Sequence, residues 1–419
     1  MTTTPTESAR SASDTPSARS APDTRSARPA LPADRGGCPF APPPAYREAH
    51  RTAPVTRAGL WDGSDCWLVT GHAEVRTVLS DNRFSADARH PGFPFLSPGR
   101  RELVNRATPS FLRLDGAEHA RQRRMLTGDF IVKRVEAMRP RIQRIVDDAL
   151  DRMIAGGSPA DLVAAFALPV PSLVICDLLG VPYEDHGFFQ GRSGVLLDIA
   201  APAERVGAAQ RELTDYLTEL TGRKRREPDD SLLGRLAARP DVSPEEAAAT
   251  GLLLLVAGHE TTANMTALGT LALLRHPEQA ARLRAEPALV KGAVEELLRW
   301  LSVVHLGVPR VAVEDVDLGG TLVRAGEGVL CMISTANRDA AVFPDGDRLD
   351  LDRDARRHFA FGFGVHQCLG QPLARAELQI ALETLFRRLP GLRLAVPYES
   401  VRYRADMVVY GVHELPVAW

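Results

Sequence analysis

Phe359-Ala360-Phe361-Gly362-Phe363-Gly364-Val365-His366-Gln367-Cys368-Leu369-Gly370 is the stretch on which the rest of the chain turns. Gly362, Gly364 and Gly370 crowd into it, and a helix-like run, Gln371 to Arg388, begins directly afterwards. Glycine permits positive φ and close backbone approach, so a loop is expected here, pressed against something flat or bent into tight turns. Cys368 stands at the start of the following helix, where unpaired N–H groups and the positive dipole end favour thiolate over thiol. No second cysteine or histidine sits at metal-finger spacing. Such a thiolate suits a metal that brings most of its own ligands, haem iron above all. A structural cysteine buried in a turn is the plainer alternative.

The pattern Phe361-x-x-Gly364-x-x-x-Cys368-x-Gly370 is far more specific than a lone glycine motif. It resembles the cysteine loop of the cytochrome P-450 family, with His366 where that family often has His or Arg. The resemblance implies haem b with Cys368 as axial ligand, Phe361 packed beside its sulfur, and Gly364 and Gly370 shaping the loop against the cofactor. It extends over roughly residues 38–419, including Ala336-Asn337-Arg338-Asp339 and Gly411-Val412-His413-Glu414-Leu415-Pro416. These stretches look like soluble actinobacterial members that tailor secondary metabolites or degrade foreign compounds. The implied fold is mainly α with small β-sheets: a single large haem-thiolate domain over 38–419, with a long central helix over the haem.

Composition agrees with a globular enzyme. The 419 residues carry 51 Lys+Arg against 53 Asp+Glu, a formal net charge of −2, so no global field recruits nucleic acid or an anionic membrane. The 5 cysteines show no paired spacing, which suits a reducing cytosol. The longest apolar runs, Leu162 to Leu168 and Leu252 to Ala257, are too short to span a bilayer. The N-terminus lacks the apolar core of a signal peptide, and a cytoplasmic monomer is expected. Residues 1–37 are Ser, Thr, Ala, Pro, Arg and Asp with almost no large apolar side chain; they are expected to be disordered.

Local patterns then set out the elements. Val55 to Leu60 and Cys66 to Thr70 flank Asp62-Gly63-Ser64 as a hairpin would, and Ala73 to Asp81 reads as a short helix. Phe84 to Leu114, with many Gly, Pro and Arg, is expected as one long functional or mobile loop. Helices are expected over Ala117 to Thr127, Val132 to Ala155 (broken at Pro140), Val170 to Leu179, Glu184 to Leu197 and Ala203 to Arg226. Strands are expected near Val308 to Val313, Val316 to Leu318 and Gly328 to Ile333.

Ser243-Pro244-Glu245-Glu246 starts the longest helix, with serine as N-cap and a capping-box glutamate three residues on. Periodicity runs to Arg275 and Pro277 ends it, giving roughly 50 Å at 1.5 Å per residue. Within it, Ala257-Gly258-His259-Glu260-Thr261-Thr262 is a poor choice for an apolar helix interior: glycine costs up to about 1 kcal/mol there and a buried acid needs partners. A kink with threonines bonded to preceding carbonyls is one explanation. The segment also resembles the oxygen-binding groove of the same family. That implies Ala257 and Gly258 against the haem, Thr261 hydrogen-bonding dioxygen, and Glu260 linking it to solvent protons. Splitting an O–O bond needs protons, and a hydroxyl beside a carboxyl can relay them.

Further positions follow from the resemblance. Glu296 and Arg299 match a Glu-x-x-Arg element that pairs with a later arginine, here Arg348, in a structural network. His119, Arg123, Arg310 and His358 stand at positions that bind haem propionates. The substrate pocket would comprise Pro91, Phe93, Phe95, Leu96, Leu196, Leu253, Val303, Val304, His305, Gly307, Met407, Val408 and Val409, mostly aliphatic and suited to a bulky apolar molecule. No dinucleotide fingerprint is present, so electrons from NAD(P)H would arrive through a ferredoxin reductase and ferredoxin. Arg121, Arg124, Arg356, Arg357 and Arg375 could form the docking surface. The activity expected is a monooxygenase that hydroxylates or epoxidises a secondary metabolite or xenobiotic. The same fold could instead serve nitric oxide reduction, nitration or peroxygenase chemistry, or, without catalysis, haem sensing.

Overall fold

The computed structural model describes residues 2, 28–106 and 108–419. The Asp62-Gly63-Ser64 turn does join a hairpin, β1 (Val55–Gly59) and β2 (Asp65–Val69), preceded by helix α1 (Pro44–Thr52) and followed by α2 (His72–Ser80). The stretch expected as one long loop instead holds strand β3 (Phe84–Ser85), helix α3 (Pro98–Arg106) and a 3-10 turn at 111–113. Proline suits the first position of α3. Leu103 and Val104 are its only large aliphatic residues, too few to write a helical period into the sequence.

Helices then dominate: α4 (Gly116–Phe130), α5 (Val132–Ala155), the short strand β4 (Ala160–Asp161), α6 (Pro169–Leu179), α7 (His186–Leu197), α8 (Ala203–Arg226) and α9 (Leu232–Ala237). After these come α10 (Pro244–Arg275), α11 (Pro277–Ala285) and α12 (Val290–Leu301). Strands β5 (Val308–Ala312), β6 (Val316–Leu318), β7 (Thr321–Val323) and β8 (Gly328–Cys331) lead to α13 (Ile333–Ala336). Helix α14 (Gln371–Arg388) and strands β9 (Arg393–Leu394) and β10 (Pro416–Ala418) complete the chain. The break expected at Pro140 does not occur, and α5 runs through it. Pro140 lies on the exposed face, where water can take up the carbonyl that a proline leaves without a partner.

Helix α10 is the axis of the fold. The Ser243 hydroxyl accepts from the Glu246 N–H at 3.1 Å, the N-cap half of the expected capping box, while the Glu246 carboxylate turns to Arg121. Its 32 residues bury Leu254, Leu255, Leu268 and Leu271 among many others, and it packs on α6, α8 and α14. One hydrophobic core runs through these helices. A second, smaller one lies under the five-stranded sheet, ordered β1-β2-β8-β5-β3, in which only β2 and β8 are parallel. Strand β10 pairs with both β4 and β9, tying the end of the chain to the α5–α6 connection.

The folded chain begins earlier than residue 38. Leu31 donates its N–H to Gly59 O at 3.0 Å, and the Gly59 N–H donates to Pro29 O at the same distance, so this segment extends the edge of β1. The buried Leu31 side chain joins Tyr46, Leu68 and Met332. Arg35 reaches across the molecule, its guanidinium 3.6 Å from the centre of the Tyr410 ring, while Nη1 donates to Pro39 O (2.9 Å) and Ala41 O (3.1 Å). Backbone pairing and one cation–π contact hold residues whose composition alone promises no core. The remainder of the expected tail, 1 and 3–27, lies outside the described residues.

Candidate active site

The cysteine loop closes on itself: the Cys368 N–H donates to Phe361 O (2.8 Å) and the Gly362 N–H to Phe359 O (2.8 Å). Gly362 and Gly364 have φ of 67° and 72°, conformations that side chains resist. Gly364, expected against a cofactor, is needed for a different neighbour. A Cβ there would sit 2.3 Å from Leu79 O at the end of α2, and Gly364 does not line the central cavity. Burial pushes the Cys368 thiol above its ordinary value, opposed by the N–H groups of Gly370 and Gln371 and by the charges of Arg123 and Arg375. Those opposing groups are the donors a sulfur anion requires at a helix start.

Cys368, Phe361 and Gly370 line a cavity of about 1090 Å³ whose α10 wall carries Ala257, Gly258 and Thr261. Thr261 Oγ1 donates to Ala257 O at 2.8 Å, one turn back, and remains on the cavity face. At Gly258 a Cβ would meet Ile175 Cδ1 at 2.9 Å, so this glycine serves the close packing of α10 on α6 as well as the cavity. Glu260 points elsewhere. It is buried, with Oε2 accepting from Arg404 Nη1 (3.1 Å) and Asn264 Nδ2 (3.3 Å), and it is not on the cavity wall. Its neighbour His259 is fully buried, with Nδ1 2.6 Å from Leu255 O.

Of the expected pocket, Phe93, Phe95, Leu96, Leu196, Leu253, Val303, Val304, Gly307, Val408 and Val409 line this cavity. Pro91, His305 and Met407 do not. Pro91 faces outward. His305 Nε2 donates to Met407 O (2.7 Å), and its ring packs against Tyr410, behind the wall rather than on it. Burial, and then the Arg35 charge, push the His305 imidazole down to about 3, so it is neutral. Sequence reading passed over the α3 and α8 contributions, Arg100, Leu103, Gln210 and Thr214. Helices brought over a cavity by tertiary packing leave no motif in the chain.

Among the four expected propionate partners, Arg123 and Arg310 reach the wall. Each guanidinium donates to a carbonyl, Gln367 O and Pro309 O, and among the described residues pairs with no carboxylate. His119 is buried with Nε2 unpartnered, and burial, with His366 and Arg123 nearby, pushes it down to about 4. His358 is corrected: Nε2 lies 3.2 Å from Glu295 Oε2 and Nδ1 accepts from the Ala360 N–H (3.0 Å), which uses both nitrogens away from the cavity. His366 stands on the wall instead. It lines the cavity, packs at 4.2 Å on the His119 ring and donates Nε2–H to Asp115 Oδ1 at 3.1 Å. The spacing of His366 from Cys368 was the available signal. These groups fit haem: a thiolate cradle on one wall, small residues on the other, and cationic donors left open for two carboxylates.

Behind the cysteine loop, Arg299 and Glu296 are completely buried and pair through two contacts of 2.7 Å, Nε–Oε2 and Nη2–Oε1. Arg299 Nη1 also donates to Asn337 O and Gly346 O at 2.8 Å. The third member is not Arg348, whose side chain is 70% exposed and bonds Asp350 at 2.7 Å. Arg353 fills the role, with Nε 3.3 Å from Glu296 Oε1. On the expected docking surface, Arg121 pairs with Glu118 and Glu246, Arg356 with Asp354 and Arg375 with Glu295. Much of that charge is answered within the chain.

Known proteins agree with this geometry. The family model described as cytochrome P450 matches residues 203–390. Cytochrome P450-SU2 of Streptomyces griseolus is 67% identical over 93% of this chain and 96% of its own length. Pentalenic acid synthase of Streptomyces avermitilis is 53% identical over 93% of this chain and 97% of its own. In three dimensions, the mycinamicin VIII C21 methyl hydroxylase MycCI of Micromonospora griseorubida, solved with mycinamicin VIII bound, superposes with a TM-score of 0.87 at 42% identity, covering 93% of this chain and all of that one.

Proposed function

Because this chain belongs to the cytochrome P450 family, we propose that Cys368 is its haem ligand and that it hydroxylates or epoxidises a bulky, mainly apolar small molecule. The family's haem iron and cysteine thiolate make it a monooxygenase, an oxidoreductase. When bound, the haem supplies the iron at which dioxygen is activated and one oxygen atom is delivered to the substrate. The observation that carries the reading is that Cys368, in the loop before α14, and Thr261, on α10, line one cavity.

The chain's own residues then divide the work. The N–H groups of Gly370 and Gln371 hold charge on the Cys368 sulfur. Arg123, Arg310, His119 and His366 would hold the two haem carboxylates, with Asp115 fixing the His366 ring. Thr261 Oγ1 is the hydroxyl that hands a proton into the cavity. Glu260, directly before it, is buried off the cavity wall and bonded to Arg404 and Asn264, so its carboxylate braces α10 and makes no contact with Oγ1. The aliphatic wall of Leu196, Leu253, Val303 and Val409 excludes water and selects for apolar bulk. Electrons would come from NAD(P)H by way of a ferredoxin reductase and ferredoxin. Among the described residues no helix is long and apolar enough to cross a membrane.

The substrate reading draws on the cavity and on relatives whose names identify a pentalenic acid synthase and a mycinamicin hydroxylase. The decisive experiment is the absorbance of the reduced, carbon monoxide-treated protein. A red-shifted Soret band of mercaptide-ligated haem is expected, lost in Cys368→Ser; a serine variant that kept the band and full oxidative activity would refute the assignment.

A further inference from the structure

The arginines on the cavity wall do not all have a use. Arg89 is held by Asp87, Nε to Oδ1 at 2.8 Å. Arg211 is exposed on α8. Arg123 and Arg310 answer the haem carboxylates, helped by His119 and His366. Arg100 and Arg113 are left over. Among the described residues no carboxylate pairs with either. Arg100 Nη1 donates only to Leu196 O (3.2 Å), and the Arg113 guanidinium lies 5.2 Å from the Phe93 ring.

The acids on the same wall do not balance them. Asp87 is already paired, Asp215 and Glu245 are exposed, and burial pushes the Glu377 carboxyl well above its ordinary range, toward its neutral form. Burial, with Arg100 and Arg310 nearby, also pushes Arg113 down to about 9, which still leaves it charged at neutral pH. The Arg100 and Arg113 side chains are both half-buried, and a guanidinium that lines an apolar wall without a carboxylate keeps donors that an anion in the cavity would satisfy. A second polar group without a partner lies near. Gly99, beside Arg100, is close-packed on Val206 of α8, with 3.3 Å from its would-be Cβ to Val206 Cγ2. One turn further on the same face, Gln210 is buried on the cavity wall with Oε1 unsatisfied.

We propose that Arg100 and Arg113 form an anion subsite at the α3 end of the cavity, and that the substrate is a bulky apolar acid carrying a carboxylate or sulfonate. The guanidinium pair anchors the acidic end, and the aliphatic wall carries the remainder of the molecule toward Cys368. This rests on the haem-thiolate reading only for the direction in which the apolar end points.

The test compares acids with their own neutral esters on the purified holoenzyme. Lauric acid, abietic acid and the methyl ester of each are titrated, following the absorbance change as ligand enters. The acids are expected to half-saturate at about tenfold lower concentration than the esters. Arg113→Gln and Arg100→Gln should each bring that ratio to within about twofold, while Arg113→Lys keeps most of it. Acids and esters that behave alike in the wild type, including no response to any, overturn the subsite. So does an acid preference that survives the double glutamine variant. Loss of haem from Arg113→Gln, with the preference intact in the haem-loaded fraction, would assign Arg113 to the haem carboxylates and also overturn it. Failure of the haem-thiolate reading shows separately, as a missing mercaptide Soret band before any ligand is added; the acid-to-ester ratio is then read by equilibrium dialysis.

Discussion

Two sets of arginines, one fully buried and one half-buried on the cavity wall, are treated in opposite ways. On the α12 side, Arg299 has a bidentate carboxylate and three carbonyls, every contact supplied by the chain. On the α3 side, Arg100 has one carbonyl and Arg113 an aromatic ring. Both sets pay desolvation, but only the first recovers it on folding. A charge completed from within is scaffold. A charge left incomplete in a cavity is waiting for something that is not part of the chain.

The difference can be broken most severely at Arg299. Arg299→Ala leaves Glu296 buried without its partner and should cost about 3–5 kcal/mol of unfolding free energy, measured by denaturant unfolding of the holoenzyme. Arg113→Met, matched as a control, should not destabilise the protein. If the two variants lose similar stability, the contrast is false.

The proximal side can also be tested by pH. Burial tends to raise Glu295, but hydrogen bonds from His358 and Arg375 outweigh it and hold the carboxyl down at about 2. A carboxylate with a depressed folded value stabilises fully above its unfolded pKa and loses that contribution as pH falls through the folded value. The stability gap between wild type and Glu295→Gln should therefore be on the order of 2 kcal/mol above pH ~4.5 and shrink as pH falls toward 2. A gap independent of pH would show that the pair adds packing and no charge.

On the distal side the effect should appear in chemistry instead. Thr261→Ala should lower product formed per NAD(P)H about tenfold, near 1.4 kcal/mol, with little change in the unfolding midpoint. Unchanged coupling would favour the nitric oxide or peroxide chemistries of the same fold. The smallest effect is expected at Arg348: its exposed pair with Asp350 should be worth less than about 0.5 kcal/mol, whereas Arg353→Ala should cost more because its contact to Glu296 is buried.

The parts of this molecule that were legible in the chain are those written locally. The Ser243 N-cap of α10, the bounds of α8 and α14 and the Cys368 loop each depend on residues a few positions apart. What could not be read depends on where remote pieces meet. Arg348 and Arg353 are five residues apart and equally arginine, and only the approach of α12 decides which one meets Glu296. His358 and His366 likewise differ by which neighbour arrives first, Glu295 or the cavity. Helix α3 has too few apolar residues to announce itself, and nothing local shows that Arg100 and Arg113 face a cavity rather than open solvent.

The reach of Arg35 to Tyr410, with Val408 and Val409 on the same C-terminal loop, has a consequence for biosynthesis. A ribosome delivers Arg35 hundreds of residues before its aromatic partner exists. The wall that carries Val408 and Val409 is therefore braced by a contact between segments far apart in sequence, and it cannot form before both are present.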